Sequence, residues 1–127
     1  MELGYTQKTG NSFDEVVAKI EEFTASKQFR VLHVHNVQQT LKDKGFEREP
    51  YKIIEICSAK FAHTALGVTP DVGLFLPCKI NVYTKDGETV ITAMNPKMIS
   101  EFFDDPRLKE LADEVDKIVR SIVDEAK

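Results

Sequence analysis

The sequence predicts an α+β fold, an antiparallel sheet of about five strands with helices packed on one face. Three observations carry this. The hydrophobic period changes several times between the two-residue repeat of strands and the helical repeat. An Asp86-Gly87 pair joins two apolar, β-branched runs, and a long amphipathic segment closes the chain. Hairpin-linked strands with a helix near each end favour helices on one side of an antiparallel sheet over a doubly wound architecture. At 127 residues, 42% hydrophobic and 30% charged, the chain has the size and composition of one folded domain, residues 1–127, with no repeat or low-complexity linker.

Leu3 to Thr9 reads as a first short strand, ended by Gly10-Asn11. Ser12 and Glu15 have the spacing of a capping box. Phe13, Val16, Val17, Ile20 and Phe23 follow at helical intervals, predicting a helix to about Lys27. Phe29 to Val37 is strand-like; simple alternation puts Phe29, Val31, His33, His35 and Val37 on one face and Arg30, Leu32, Val34 and Asn36 on the other. Asn36 is placed to cap a short helix to Lys44, stopped by Gly45.

Tyr51 to Cys57 forms the next strand, and Ser58 is expected to cap a helix over Ala59 to Leu66 with Gly67 as its stop. Gly73 to Tyr83 reads as one long extended run, returning through Lys85-Asp86-Gly87-Glu88 to Thr89–Met94. Asn95-Pro96 ends that strand, and a short helical turn is expected around Met98 to Phe103. Asp105, with Pro106 in the first helical position, then opens a final helix striped by Leu108, Leu111, Ala112, Val115, Ile118, Val119, Ile122 and Val123.

Seventeen Lys and Arg against 21 Asp and Glu give a net charge of -4, with the basic residues dispersed. Phosphate binding rests on a concentrated basic face, so a nucleic-acid partner is not expected. The opening residues Met1 to Thr6 do not resemble a signal peptide and no apolar run has membrane-spanning length, so the expected setting is cytoplasmic, with no membrane partner. Glycines sit at turns and helix ends without a phosphate-cradling spacing. The acidic clusters lie in helical or capping positions, where a solvated face accounts for them.

Cys57 and Cys78 are the candidate thiol site. Cys57 lies between a strand and a helix start, whose free N–H groups favour a thiolate; the alternative is a small buried hydrophobe at a strand end. Cys78 follows Pro77, an irregularity within a strand, and the two cysteines are close enough for a disulfide only if their strands are neighbours. No C-x-x-C pair is present. His33 and His35, together with Cys57 and Cys78, make a two-nitrogen, two-sulfur set that suits zinc or another soft metal, though not with zinc-finger spacing. His63 is read as a surface residue. No cofactor is indicated.

The stretches Val31-Leu32-His33-Val34-His35-Asn36-Val37-Gln38-Gln39-Thr40-Leu41-Lys42, Tyr51-Lys52-Ile53-Ile54-Glu55-Ile56-Cys57 and Leu76-Pro77-Cys78-Lys79-Ile80-Asn81-Val82-Tyr83 resemble the domain of unknown function 302 family, in its two-cysteine form. The resemblance runs from the helix after Ser12 to the last helix. It implies a β-α-β(4)-α arrangement of the TATA-binding-protein-like class and a homodimer, with no established reaction; fold alone does not imply DNA binding. Relatives often read Cys-Asn-Pro where this chain has Cys57-Ser58-Ala59, and His-Asp where it has His35-Asn36. The lost acid removes a usual orienting partner of an imidazole. Three functions follow as expectations: a homodimeric binding or accessory protein with a cleft between sheet and helices, a thiol-based redox or sulfur-handling protein using Cys57 and Cys78, or a metal-binding protein. No catalytic motif decides whether it is an enzyme.

Overall fold

The computed structural model describes residues 1–127. Five strands, β1 (Gly4–Thr9), β2 (Arg30–Asn36), β3 (Tyr51–Cys57), β4 (Cys78–Lys85) and β5 (Glu88–Met94), form one sheet in the order β1-β5-β4-β3-β2. Every pairing is antiparallel. The helices are α1 (Phe13–Ser26), α2 (Val37–Lys42), α3 (Ala59–Val68), α4 (Ile99–Phe102) and α5 (Pro106–Ala126), with 3-10 turns over Pro70–Phe75 and Pro96–Met98.

Local chemistry sets most boundaries. Ser12 Oγ accepts from the backbone N–H of Glu15, starting α1, while the Glu15 carboxylate pairs forward with Lys19 at 3.4 Å. Asn36 Oδ1 accepts from Gln39 N–H, and Asp105 Oδ1 from Arg107 N–H. The β4–β5 turn has both central residues left-handed, Asp86 at φ 51° and Gly87 at φ 79°, the backbone of a type I′ hairpin.

One face of the sheet supplies Ile54, Ile56, Cys78, Ile80, Val82, Ile91 and Ala93 to the main core. Helix α1 adds Val16, Val17 and Ile20; α5 adds Val115, Val119, Ile122, Val123 and Ala126. These two helices also pack on each other. The layering is therefore helices on one side of a sheet, as expected. A second cluster of Ala65, Val72, Ile99 and Leu108 lies where α3, the Pro70–Phe75 turn, α4 and the start of α5 meet.

Three local expectations are corrected. In β2, Val31 pairs with Ile56 while His33 pairs with Glu55, leaving Leu32 as an extra residue in a bulge. The extra residue changes the parity, so Val31 and Val34 both pack against the core and Val31 does not share a face with His33 and His35. Gly67 lies inside α3 and does not stop it; the chain becomes extended at Thr69 (φ -156°, ψ 133°). Residues Pro70–Phe75 form a 3-10 helix, not the start of a long strand. Thr69 Oγ1 accepts from Asp71 N–H and Pro70 leads the turn, so β4 begins only at Cys78.

Candidate functional site

The site is a narrow apolar slot at the end of the sheet where β3 stops and β4 begins. Strand residues Ile56, Cys57 and Cys78, with Phe29 ahead of β2, form its floor. Helix α3 contributes Phe61, Ala62 and Ala65 to one wall, and α5 contributes Leu108, Leu111, Ala112 and Val115 to the other. Leu76, Pro96 and Ile99 complete it. As it stands the slot encloses a cavity of only about 40 Å³, within a wider hollow of about 480 Å³ counted out into open solvent at its mouth, so an organic ligand enters only if the walls part. Thirteen of its fifteen lining residues are hydrophobic, Ser58 supplies the one hydroxyl, and none is charged, so an ion would lose its hydration there without compensation.

The slot exists because of side-chain size. On α3, Ala62 and Ala65 occupy inward positions where larger residues would close the gap against α5, and Ala112 does the same from the opposite wall. The main core is filled mostly by Ile and Val, whereas three of the seven wall residues of the slot are alanines. Ala112 stands in the predicted apolar stripe of α5, while Ala62 and Ala65 carry no chemistry that singles them out in the sequence. Their signal was alanine spacing on the inner faces of two helices.

The predicted chemical residues divide between two places. Cys57 and Cys78 both line the slot, on neighbouring strands; Cys78 pairs with Ile56, one position from Cys57. Both are free thiols. Burial raises the Cys57 thiol above its ordinary value. Burial also pushes Cys78 up to about 11; Cys57 nearby adds to the rise and Lys79 opposes it. Cys78 is 8% exposed. The effect expected from the start of α3 does not dominate: Ser58 leaves the first-turn N–H groups without a side-chain cap, yet burial raises both thiols above their ordinary values.

His33 and His35 lie on the other face of the sheet. Their rings are 4.3 Å apart, and His35 Nε2 is 3.1 Å from Glu55 Oε1. They do not join the cysteines, and no group of three or more His, Cys, Asp or Glu side chains is placed to hold a metal ion. His63 is exposed on α3. The same polar face carries Asn81, whose Nδ2 donates to Tyr51 Oη at 3.1 Å while its buried Oδ1 has no partner. Tyr51 stacks on Tyr83 beside it, with centroids 5.1 Å apart. No helix is long and apolar enough to cross a membrane.

A five-stranded antiparallel sheet with helices on one face and an uncharged slot at its end defines the class: an α+β domain with an apolar hollow at the end of its sheet. The family model described as "Domain of unknown function DUF302" matches residues 5–126, and the chain belongs to that family. It is similar to an uncharacterized conserved DUF302 protein from Bacillus stearothermophilus known from its crystal structure, at 31% identity and a TM-score of 0.93, over 100% of both chains. No curated protein matches it. The biochemical function of the family is undetermined.

Proposed function

We propose that this protein is a non-catalytic binding or accessory protein of the cytosol, acting as a homodimer, whose slot takes a small uncharged apolar ligand. The observation that carries this is the lining: a concave, mostly hydrophobic site with a single hydroxyl is built to desolvate an apolar molecule, and holds no charged group to act on it. The raised thiols support binding over thiol chemistry, because a protonated sulfur behaves as a small hydrophobe. The net charge of -4 supports a partner other than nucleic acid. The homodimer rests on the family resemblance, and the cytosolic setting on two thiols that a reducing compartment keeps free.

The test is titration with phenylnaphthylamine, an uncharged fluorophore that brightens in apolar surroundings. Saturable brightening, retained when both cysteines are replaced by alanine, is expected. Absence of saturable binding overturns the ligand reading, and binding lost with the cysteines turns the case toward the sulfurs. Sedimentation equilibrium returning only the mass of one chain overturns the homodimer.

A further inference from the structure

The slot has walls of unequal strength. Helix α5 is anchored along its length by eight buried residues, from Leu108 to Ala126. Helix α3 has one, Ala65. It packs on α5 and on the Pro70–Phe75 turn, and its outward residues from Ala59 to Gly67 stand in solvent. Ser58, in the N-cap position, makes no side-chain bond to the first turn, so the start of α3 lacks the tether that Ser12, Asn36 and Asp105 give to α1, α2 and α5. Near its other end Gly67 weakens the helix, since glycine gains more backbone freedom on unwinding than any other residue.

The flanking chain is suited to hinging. Ser58 (φ -108°, ψ 121°) and Thr69 (φ -156°, ψ 133°) are both extended, and each joins α3 to a fixed neighbour. On one side β3 is locked in the sheet. On the other, the Pro70–Phe75 turn is pinned by Val72, which is wholly buried against Ile99 and Leu108. Between these fixed points α3 is held by Ala65, by Phe61 against Phe29 and by Val68, fewer anchors than the facing wall of α5 has.

We infer that α3 is the door of the slot: it swings or unwinds between Ser58 and Thr69 to admit an apolar ligand and closes over it through Phe61, Ala62 and Ala65. This rests on the binding reading above and adds how the site is entered. Opening uncovers Ala65, lifts the Phe61 ring off Phe29 and exposes the slot floor beneath, so the open door is a minor, transient state of the free protein. Closing on a ligand buries the Phe61 ring and both alanines more deeply, so occupancy favours the closed door by mass action.

Hydrogen exchange read by mass spectrometry tests this on the intact protein. Amides within α3 are expected to exchange roughly tenfold or more faster than those in the middle of α5, and saturating phenylnaphthylamine is expected to slow α3 selectively. Gly67→Ala provides an independent lever. A Cβ at Gly67 meets nothing within 4 Å, and the residue does not line the slot. The variant is expected to slow α3 exchange roughly threefold and to slow probe association with it, leaving the saturated fluorescence unchanged. Exchange in α3 as slow as in α5 overturns the inference whether or not the probe binds. Fast exchange that bound probe leaves unslowed, or slowed exchange in Gly67→Ala with undiminished association, overturns the doorway role while binding stands. Absence of any probe binding is the separate failure of the ligand reading.

Discussion

Replacing Cys78 by alanine should change how stability depends on alkaline pH. In the folded protein Cys78 is 8% exposed and its thiol is pushed up to about 11 from an ordinary 9.0, chiefly by burial. The folded state thus holds the proton to higher pH than the unfolded chain does. The stability tied to the neutral thiol is complete below pH 9, declines as pH rises, and is lost once pH passes about 11. A shift of this size is worth about 3 kcal/mol in full, of which about 1 kcal/mol should be lost by about pH 10 and about 2 kcal/mol by about pH 11. At neutral pH the variant should be less stable by about 1 kcal/mol, through the lost packing of one buried sulfur. The two stability curves should therefore converge near pH 10 and cross above it. Urea unfolding of both proteins under reductant, at a series of pH values, measures the difference directly; Cys57, lysine and tyrosine titrations are common to both and largely cancel. A difference that stays constant from neutral pH to pH 11 would refute the reasoning, and would mean that water reaches the sulfur and the slot floor is wet.

Ala112→Leu adds three carbons to the slot wall; burial worth roughly 0.8 kcal/mol per carbon is opposed by overpacking of about 1–3 kcal/mol, so melting temperature should change little while phenylnaphthylamine binding disappears. Retained binding would place the probe elsewhere. Arg120→Ala should cost about 2 kcal/mol in chemical unfolding, because Asp116, only 4% exposed, loses its 3.1 Å partner and Tyr5 loses the guanidinium over its ring; Lys97→Ala, removing a 3.7 Å contact, should cost under about 1 kcal/mol. Equal costs would mean that the closer pair is not the one compensating the buried carboxylate. Gly87→Ala forces a side chain into φ 79° at the hairpin and should cost about 1 kcal/mol in the same assay.

The parts of the fold legible in the sequence are those fixed by neighbours along the chain. The Asp86-Gly87 turn, the Ser12, Asn36 and Asp105 caps and the stripe of α5 each need only a few adjacent residues, and each stands where the pattern put it. The missed bulge depends on residues distant in sequence. The bulge at Leu32 is set by how β2 registers against β3, and alternation counted along one strand cannot register an inserted residue. Between β3 and β4 a local signal was present, Thr69 followed by Pro70, but the apolar run through Leu76 outweighed it and was read as strand. Cysteines and histidines are reactive types that suggest one shared site, yet the sheet puts the histidines on its polar face and the cysteines in the slot. The slot itself is a missing volume between α3 and α5, and no single residue announces a volume.

That volume lies where the topology makes it hardest to fill. Strands β4 and β5 are joined by a tight turn, and β5 pairs with β1 directly, so their inner side chains are locked between sheet and the long helices. The connection from β3 to β4 is different: it leaves the sheet at Ser58, makes α3 and a 3-10 turn, and returns at Cys78 beside the strand it left. An excursion whose two ends are neighbours adds no strand, so α3 must find its partner on the flank of α5, with the ends of β3 and β4 beneath. Ala62, Ala65 and Ala112 keep those walls apart, and Val72 holds the return path in place. Larger residues at the three alanines would narrow the gap, their burial offset by overpacking, so their small size keeps open a space that the mostly Ile and Val core elsewhere does not have. Under the proposed binding function that volume has an occupant, and α3, with fewer anchors than α5, is its proposed way in.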